Sequence, residues 1–175
     1  LEHSDFSEFD SVKFELKGSN ACFHSMGVSA AGMNEPDYTE KTHGYSMALA
    51  KTLFDLNPEM TFIYVSGQGT DSSEKGRQMW ARVKGKTEND ILKLGFKQAF
   101  MYRPGLIEPL RGILPSSKLY AVLIKNLGWL IQILKTIAPK SVVNTTQIGF
   151  SMIHVAANGY PNKILNPIDI QNSAK

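Results

Sequence analysis

The chain has 175 residues, a formal net charge of +3, and charges of both signs scattered along its length. That is one domain, 1–175, long enough to bury a real core. No basic tract is interleaved with aromatics, so the chain lacks the footprint of a nucleic-acid binder. The single cysteine, Cys22, excludes an internal disulfide and fits a reducing, cytoplasmic setting.

In chain order, Leu1 to Phe6 reads as the end of a strand already under way, and nothing there reads as a signal peptide. Asp10 to Leu16 is a candidate short helix closed by Gly18. Ala21 to Ser25 is a short apolar strand running into the small-residue stretch Met26 to Gly32, the kind of backbone a ligand can lie against, although a plain loop is the simpler reading. A turn around Pro36 leads to a helix from about Tyr38 to Leu56, with Tyr45, Leu49, Leu53 and Leu56 at helical spacing and Asn57-Pro58 as its stop. His43 lies on this helix with no second His or Cys at ligand spacing, so no metal site is expected.

The stretch Thr61 to Pro109 organises the rest. Thr61 to Val65 reads as a buried strand that breaks at Ser66-Gly67-Gln68-Gly69. The run beginning KGRQ reads as a helix, and Ala99 to Tyr102 as a second strand that stops at Arg103-Pro104-Gly105. Strand, helix, strand implies a parallel βαβ unit, and ligands of such sheets bind outside the carboxyl ends of the strands. In the helix, Met79, Val83, Thr87, Ile91 and Leu94 form the stripe expected to face the sheet, Trp80, Lys84 and Glu88 the stripe beside it, and Gly95 the residue after its end. Taken locally, Lys84 is a solvated lysine paired with Glu88. Leu106 to Lys118 reads as irregular. Leu119 to Pro139 is strongly apolar but interrupted by Lys125, Asn126, Gln132 and Lys135, which argues for packed helices rather than a membrane span; peripheral membrane contact through 119–139 is the lesser alternative. Asn144 or Thr145 caps a last helix to Asn158, Lys163 to Leu165 forms a short final strand, and a polar tail follows.

The runs Tyr64-Val65-Ser66-Gly67, Val83-Lys84-Gly85-Lys86-Thr87-Glu88 and Phe100 to Ile107 resemble the extended and atypical short-chain dehydrogenase/reductases, the nucleoside-diphosphate-sugar epimerase-like Rossmann proteins among them. The resemblance implies an α/β, doubly wound parallel sheet with a small helical segment at 106–158, NADP or NAD as cofactor, and homo-oligomer pairing through the 38–56 and central helices. It implies that Asp5 and Phe6 contact the adenine, that Gly27 and Val28 lie beneath the ribose and pyrophosphate, and that Arg103, Pro104 and Gly105 flank the nicotinamide. Ser66 would be the catalytic serine and Lys84 the lysine holding the nicotinamide ribose.

Two departures stand out. Trp80 occupies the position of the family's tyrosine, four residues before Lys84, and an indole has no proton to exchange near neutral pH. No Gly-rich turn opens the chain; if Asp5 ends a third strand, two strands and two helices are absent, roughly 50–60 residues, and a truncated sheet with an exposed edge is expected. Three functions follow from this reading: an NAD(P)-dependent epimerase or oxidoreductase acting on a sugar nucleotide or other small hydroxyl or carbonyl compound, a non-catalytic NAD(P)-binding redox sensor or regulator, and an interaction module built on the apolar 119–139 surface.

Overall fold

In the computed structural model, residues 3–110, 136–138 and 141–175 are described here. The apolar stretch expected to form helices at 119–139 lies outside the described residues except for 136–138.

Four strands make one parallel sheet: β1 (Ala21–His24), β2 (Thr61–Val65), β3 (Gln98–Tyr102) and β6 (Ile164–Leu165), side by side in that order. Registers are continuous, with Phe23 opposite Ile63 and Ile63 opposite Phe100. β2 and β3 are apolar at almost every position because both of their faces are covered. On one face α3 (Tyr45–Leu56) and α4 (Met79–Leu94) bury Met47, Ala50, Leu53 and Ile91 against Phe62, Tyr64, Ala99 and Met101. On the other, α5 (Thr145–Asn158) and α6 (Pro167–Ser173) bury Met152, Val155 and Ile170 against Ile63, Phe100, Tyr102 and Leu165. Helices on both sides of a parallel sheet make this a Rossmann-like, doubly wound α/β fold, as expected.

β1 is an edge of the described sheet. Phe23 there is 44% exposed, whereas Ile63 and Phe100, which share its face, are buried. Residues 3–9 form turns and no strand, contrary to the expectation for Leu1 to Phe6.

Other boundaries moved for local reasons. After a single-turn α1 (Lys13–Leu16), a short α2 (Glu35–Thr39) precedes α3, joined to it by a π turn, Glu40–Gly44. Asn34 caps α2 by accepting from the Asp37 N–H at 2.9 Å, and Pro36 sits in the first turn, where a missing N–H costs nothing. The inward face of α3 is Ser46, Met47, Ala50 and Leu53, with Leu49 and Leu56 half-buried at its flanks, because small residues occupy the line of closest approach to the sheet. α4 starts only at Met79: the Asp71 carboxylate takes up the N–H groups of Lys75 and Gly76, so Lys75 to Gln78 stay in the loop. Leu106–Glu108, expected to be irregular, is β4, paired in parallel with β5 (Val142–Asn144) in a second, two-stranded sheet. The polar tail is helix α6, opened by a capping box between Asn166 and Asp169 with Pro167 in its first turn and Ile170 fully buried.

Candidate functional site

The carboxyl ends of β1, β2 and β3 lie along one edge and lead into the loops at 25–34, 66–78 and 103–105. Two of these loops are zipped together. Ser66 N–H donates to the Tyr102 carbonyl and Gln68 N–H to the Pro104 carbonyl, each at 2.8 Å. A turn then closes at Thr70, whose N–H and hydroxyl both reach the Gly67 carbonyl, with Gly67 and Gly69 at positive φ.

Beneath the loops lies a cluster of buried charge. The Glu88 side chain is 0% exposed and is bridged by the Arg103 guanidinium, itself 14% exposed, through Nε and Nη2. Arg103 Nη2 also donates to Ser72 Oγ at 2.5 Å. The Ser66 hydroxyl lies 2.5 Å from Glu88 Oε1 and 3.1 Å from the Tyr102 carbonyl. Its one proton is therefore committed to the protein, and the side chain is buried. The side chain expected to be the catalytic serine thus faces inward, toward Glu88 and the Tyr102 carbonyl. Lys84 does not pair with Glu88; its ammonium donates to the Ser66 carbonyl at 2.5 Å. Burial lowers the Lys84 pKa, and the nearby Glu88 charge opposes that shift.

The expected nucleotide contacts divide in the same way. Arg103 is spent on Glu88 and Ser72. Pro104 is buried, and a Cβ on Gly105 would stand 2.3 Å from the Ser141 carbonyl oxygen and 2.6 Å from Gln68 Oε1, so Gly105 is required by packing within the chain. Gly27 is different: a Cβ there would meet nothing within 4 Å, and its backbone lies open beside the half-buried Val28. Asp5 is exposed in a turn with Ser7, and Phe6 lies 6.2 Å from the Tyr45 ring at the start of α3. Trp80 lays its benzo edge against Gly69, where a Cβ would stand 3.1 Å from Cη2.

Two features had no local signal. Glu88 reads as the exposed partner of Lys84 until β3 brings Arg103 beside it. His24, at the end of β1, stacks on Tyr64 with ring centroids 5.6 Å apart, and its Nε2 lies 2.9 Å from Ser46 Oγ. Because Ser46 gives its own proton to the Thr42 carbonyl, its oxygen accepts from His24 Nε2–H, so Nε2 carries a proton. Burial pushes the His24 pKa down to about 4 from the usual 6.5. The unfolded chain therefore takes up a proton near pH 6.5 that the folded chain refuses until about pH 4. Stability is full above pH 6.5 and falls by about 3 kcal/mol as pH drops through that window. Denaturant midpoints measured from pH 7.5 to 4 should show this slope, and His24→Gln should flatten it.

Other expectations are simply placed. His43 pairs with Asp90 at 2.9 Å rather than standing free, and the described residues hold no cluster of His, Cys, Asp and Glu able to bind a metal. Burial raises the Cys22 pKa to about 12. No helix of the described residues is long and apolar enough to cross a membrane. A cavity of about 540 Å³ lies at the opposite end of the sheet, lined by Asn57, Met60, Thr61, Lys97, Gln98 and Ala156.

No protein-family model matches the chain. It is similar to the protein FMP52-2, mitochondrial, of Scheffersomyces stipitis, with 30% identity over 98 residues, 55% of this chain and 41% of that protein. It is also similar to the protein FMP52, mitochondrial, of Candida albicans, with 28% identity over 109 residues, 61% of this chain and 46% of that protein. The chain thus spans less than half the length of the curated relatives it matches. Among solved structures it resembles the crystal structure of gox2253, with a TM-score of 0.59 and 14% identity across 89% of this chain and 52% of that one; at that identity the likeness shows the fold. These findings overturn the short-chain dehydrogenase and epimerase resemblance, since the curated relatives are FMP52 proteins and no such family matches. Their names also place those relatives in mitochondria, where the lone cysteine had suggested a cytoplasmic setting. The chain has a Rossmann-like α/β fold and a distant likeness to the mitochondrial FMP52 proteins.

Proposed function

We propose that this chain forms part of a crevice that binds NADP or NAD without catalysing a reaction, as a redox-sensing or regulatory element of a mitochondrial protein. The observation that carries the reading is the asymmetry of the sheet edge. The loop after β1 presents an unobstructed backbone at Gly27, and the ammonium of Lys84 is held at the adjoining loop after β2, a suitable counter-charge for a ribose or phosphate oxygen. Among the described residues, the groups expected to perform chemistry are replaced or engaged. Ser66 gives its proton to Glu88 and the Tyr102 carbonyl, and the position four residues before Lys84 carries an indole rather than a phenol. The mitochondrial setting is carried over from the names of the relatives and is tested by fractionating cells that express the tagged protein.

The binding reading is tested by calorimetric titration of NADP and NAD into the full-length protein. Saturable binding of one dinucleotide, weakened by Lys84→Ala, with no turnover across a panel of small alcohols and carbonyl compounds, is the expected result. Turnover that disappears in Ser66→Ala would return the serine to a catalytic role, and absence of binding by both dinucleotides would remove the proposal.

A further inference from the structure

Trp80 stands in the first turn of α4, one turn before Lys84, over the loop that follows β2. Its benzo edge packs on Gly69, which has φ +89 and no side chain to intervene. The ring is half-buried, yet the indole N–H has no hydrogen-bond partner among the described residues. The half-buried ring thus carries a donor without a partner among the described residues, beside the loop that follows β2. Its neighbours in the cluster already hold protein partners: the Ser66 hydroxyl donates to Glu88, Arg103 to Glu88 and Ser72, and one N–H of the Lys84 ammonium to the Ser66 carbonyl. An indole N–H donates and never accepts, and it exchanges no proton near neutral pH. It can orient an oxygen of a ligand but cannot run acid–base chemistry on it.

We propose that Trp80 is a positioning residue whose indole N–H donates to an acceptor oxygen of the bound dinucleotide, either the carboxamide carbonyl or a phosphate oxygen. This rests on the dinucleotide reading above. The Gly69 contact fixes the ring, so the donor is oriented before the ligand arrives and little ordering is required on binding.

The test uses the full-length protein and Trp80→Phe, which keeps an aromatic ring against Gly69 and removes the N–H. Affinities for NADPH and for ADP-ribose, which lacks the nicotinamide, are measured by calorimetry alongside Tm. The expected result is a Kd for NADPH about fivefold higher in the variant, the effect of one neutral hydrogen bond, with Tm unchanged within about 2 °C. If ADP-ribose loses affinity equally, the acceptor is a phosphate oxygen; if ADP-ribose is unaffected, it is the carboxamide. Because a variant can misfold, the indole N–H resonance of Trp80 in the unmutated protein is followed as well, and it should shift downfield on adding NADPH. Binding by the unmutated protein with that resonance unmoved and the variant's Kd unchanged would overturn the role of Trp80 and leave the dinucleotide reading standing. Absence of binding by both NADPH and NADH in the unmutated protein would overturn both.

Discussion

Gly85→Ala should destabilise the protein by about 3 kcal/mol, against the usual gain of about 1 kcal/mol when a helical glycine becomes alanine. Gly85 lies in the middle of α4, where the added Cβ would stand 1.8 Å from the Asp71 carbonyl oxygen and 2.5 Å from its carbon. Both are backbone atoms, so no rotamer change relieves the clash. The 66–78 loop would have to lift from the helix and give up the Asp71 N–H bond to the Ala81 carbonyl and the bonds of Asn89 to Ser72 and Glu74. Two signatures should accompany the loss: a lowered denaturant midpoint, and faster proteolysis confined to 67–78. Gly27→Ala provides the internal control, because its Cβ meets nothing and its stability should stay within about 0.5 kcal/mol of the parent. A fully stable Gly85→Ala protein would mean that the loop does not rest on α4.

The second large effect is expected at Glu88. Its carboxylate is fully buried and is satisfied by Arg103 and Ser66 together. Glu88→Gln keeps the shape but leaves the Arg103 guanidinium largely buried without its counter-charge, and breaking a buried pair in this way costs about 3–5 kcal/mol. For a chain of this size that corresponds to a fall in Tm of about 10 °C. The double variant Glu88→Gln, Arg103→Met should lose much less than the sum of the two single changes, because the second substitution removes the orphaned charge. Additive losses would show that the two side chains do not act as a pair. Ser72 hangs from the same guanidinium, so the 66–78 loop should also become more mobile in the single variant.

These two residues also show what the sequence could reveal. Elements with strong local signals were legible: the alternation of apolar strand, small-residue break and amphipathic helix gave β2, α4 and β3, Asn57-Pro58 ended α3, Asn144 capped α5, and Gly95 takes φ +93 after α4. What escaped was set by long-range partners. Glu88 has Lys84 one turn away on the same helix, and local spacing favours that pair, but the fold places Arg103 closer and shuts out water. Leu106 to Glu108 becomes a strand only because Val142 to Asn144, more than thirty positions away, lies beside it. Ser66 sits at the end of the strand where a reactive serine would stand, and only the position of Glu88 shows that its hydroxyl is turned inward. The capping box at Asn166 was readable, since Asn-Pro-x-Asp is a helix start in itself, and it was missed. Family likeness misled: it supplied a family and a reaction, whereas the relatives are FMP52 proteins and the solved structure supports the fold alone.

The most direct test of the account is to add NADPH to isotope-labelled full-length protein and map the amide resonances that move. Dinucleotide binding at the carboxyl edge of the sheet predicts shifts in residues 26–32, 66–70 and 84 and at the start of α4. Shifts confined to 18–20, 56–61 and 97–98, the lining of the large cavity at the amino ends of the strands, would place the ligand at the wrong end of the sheet and contradict the account.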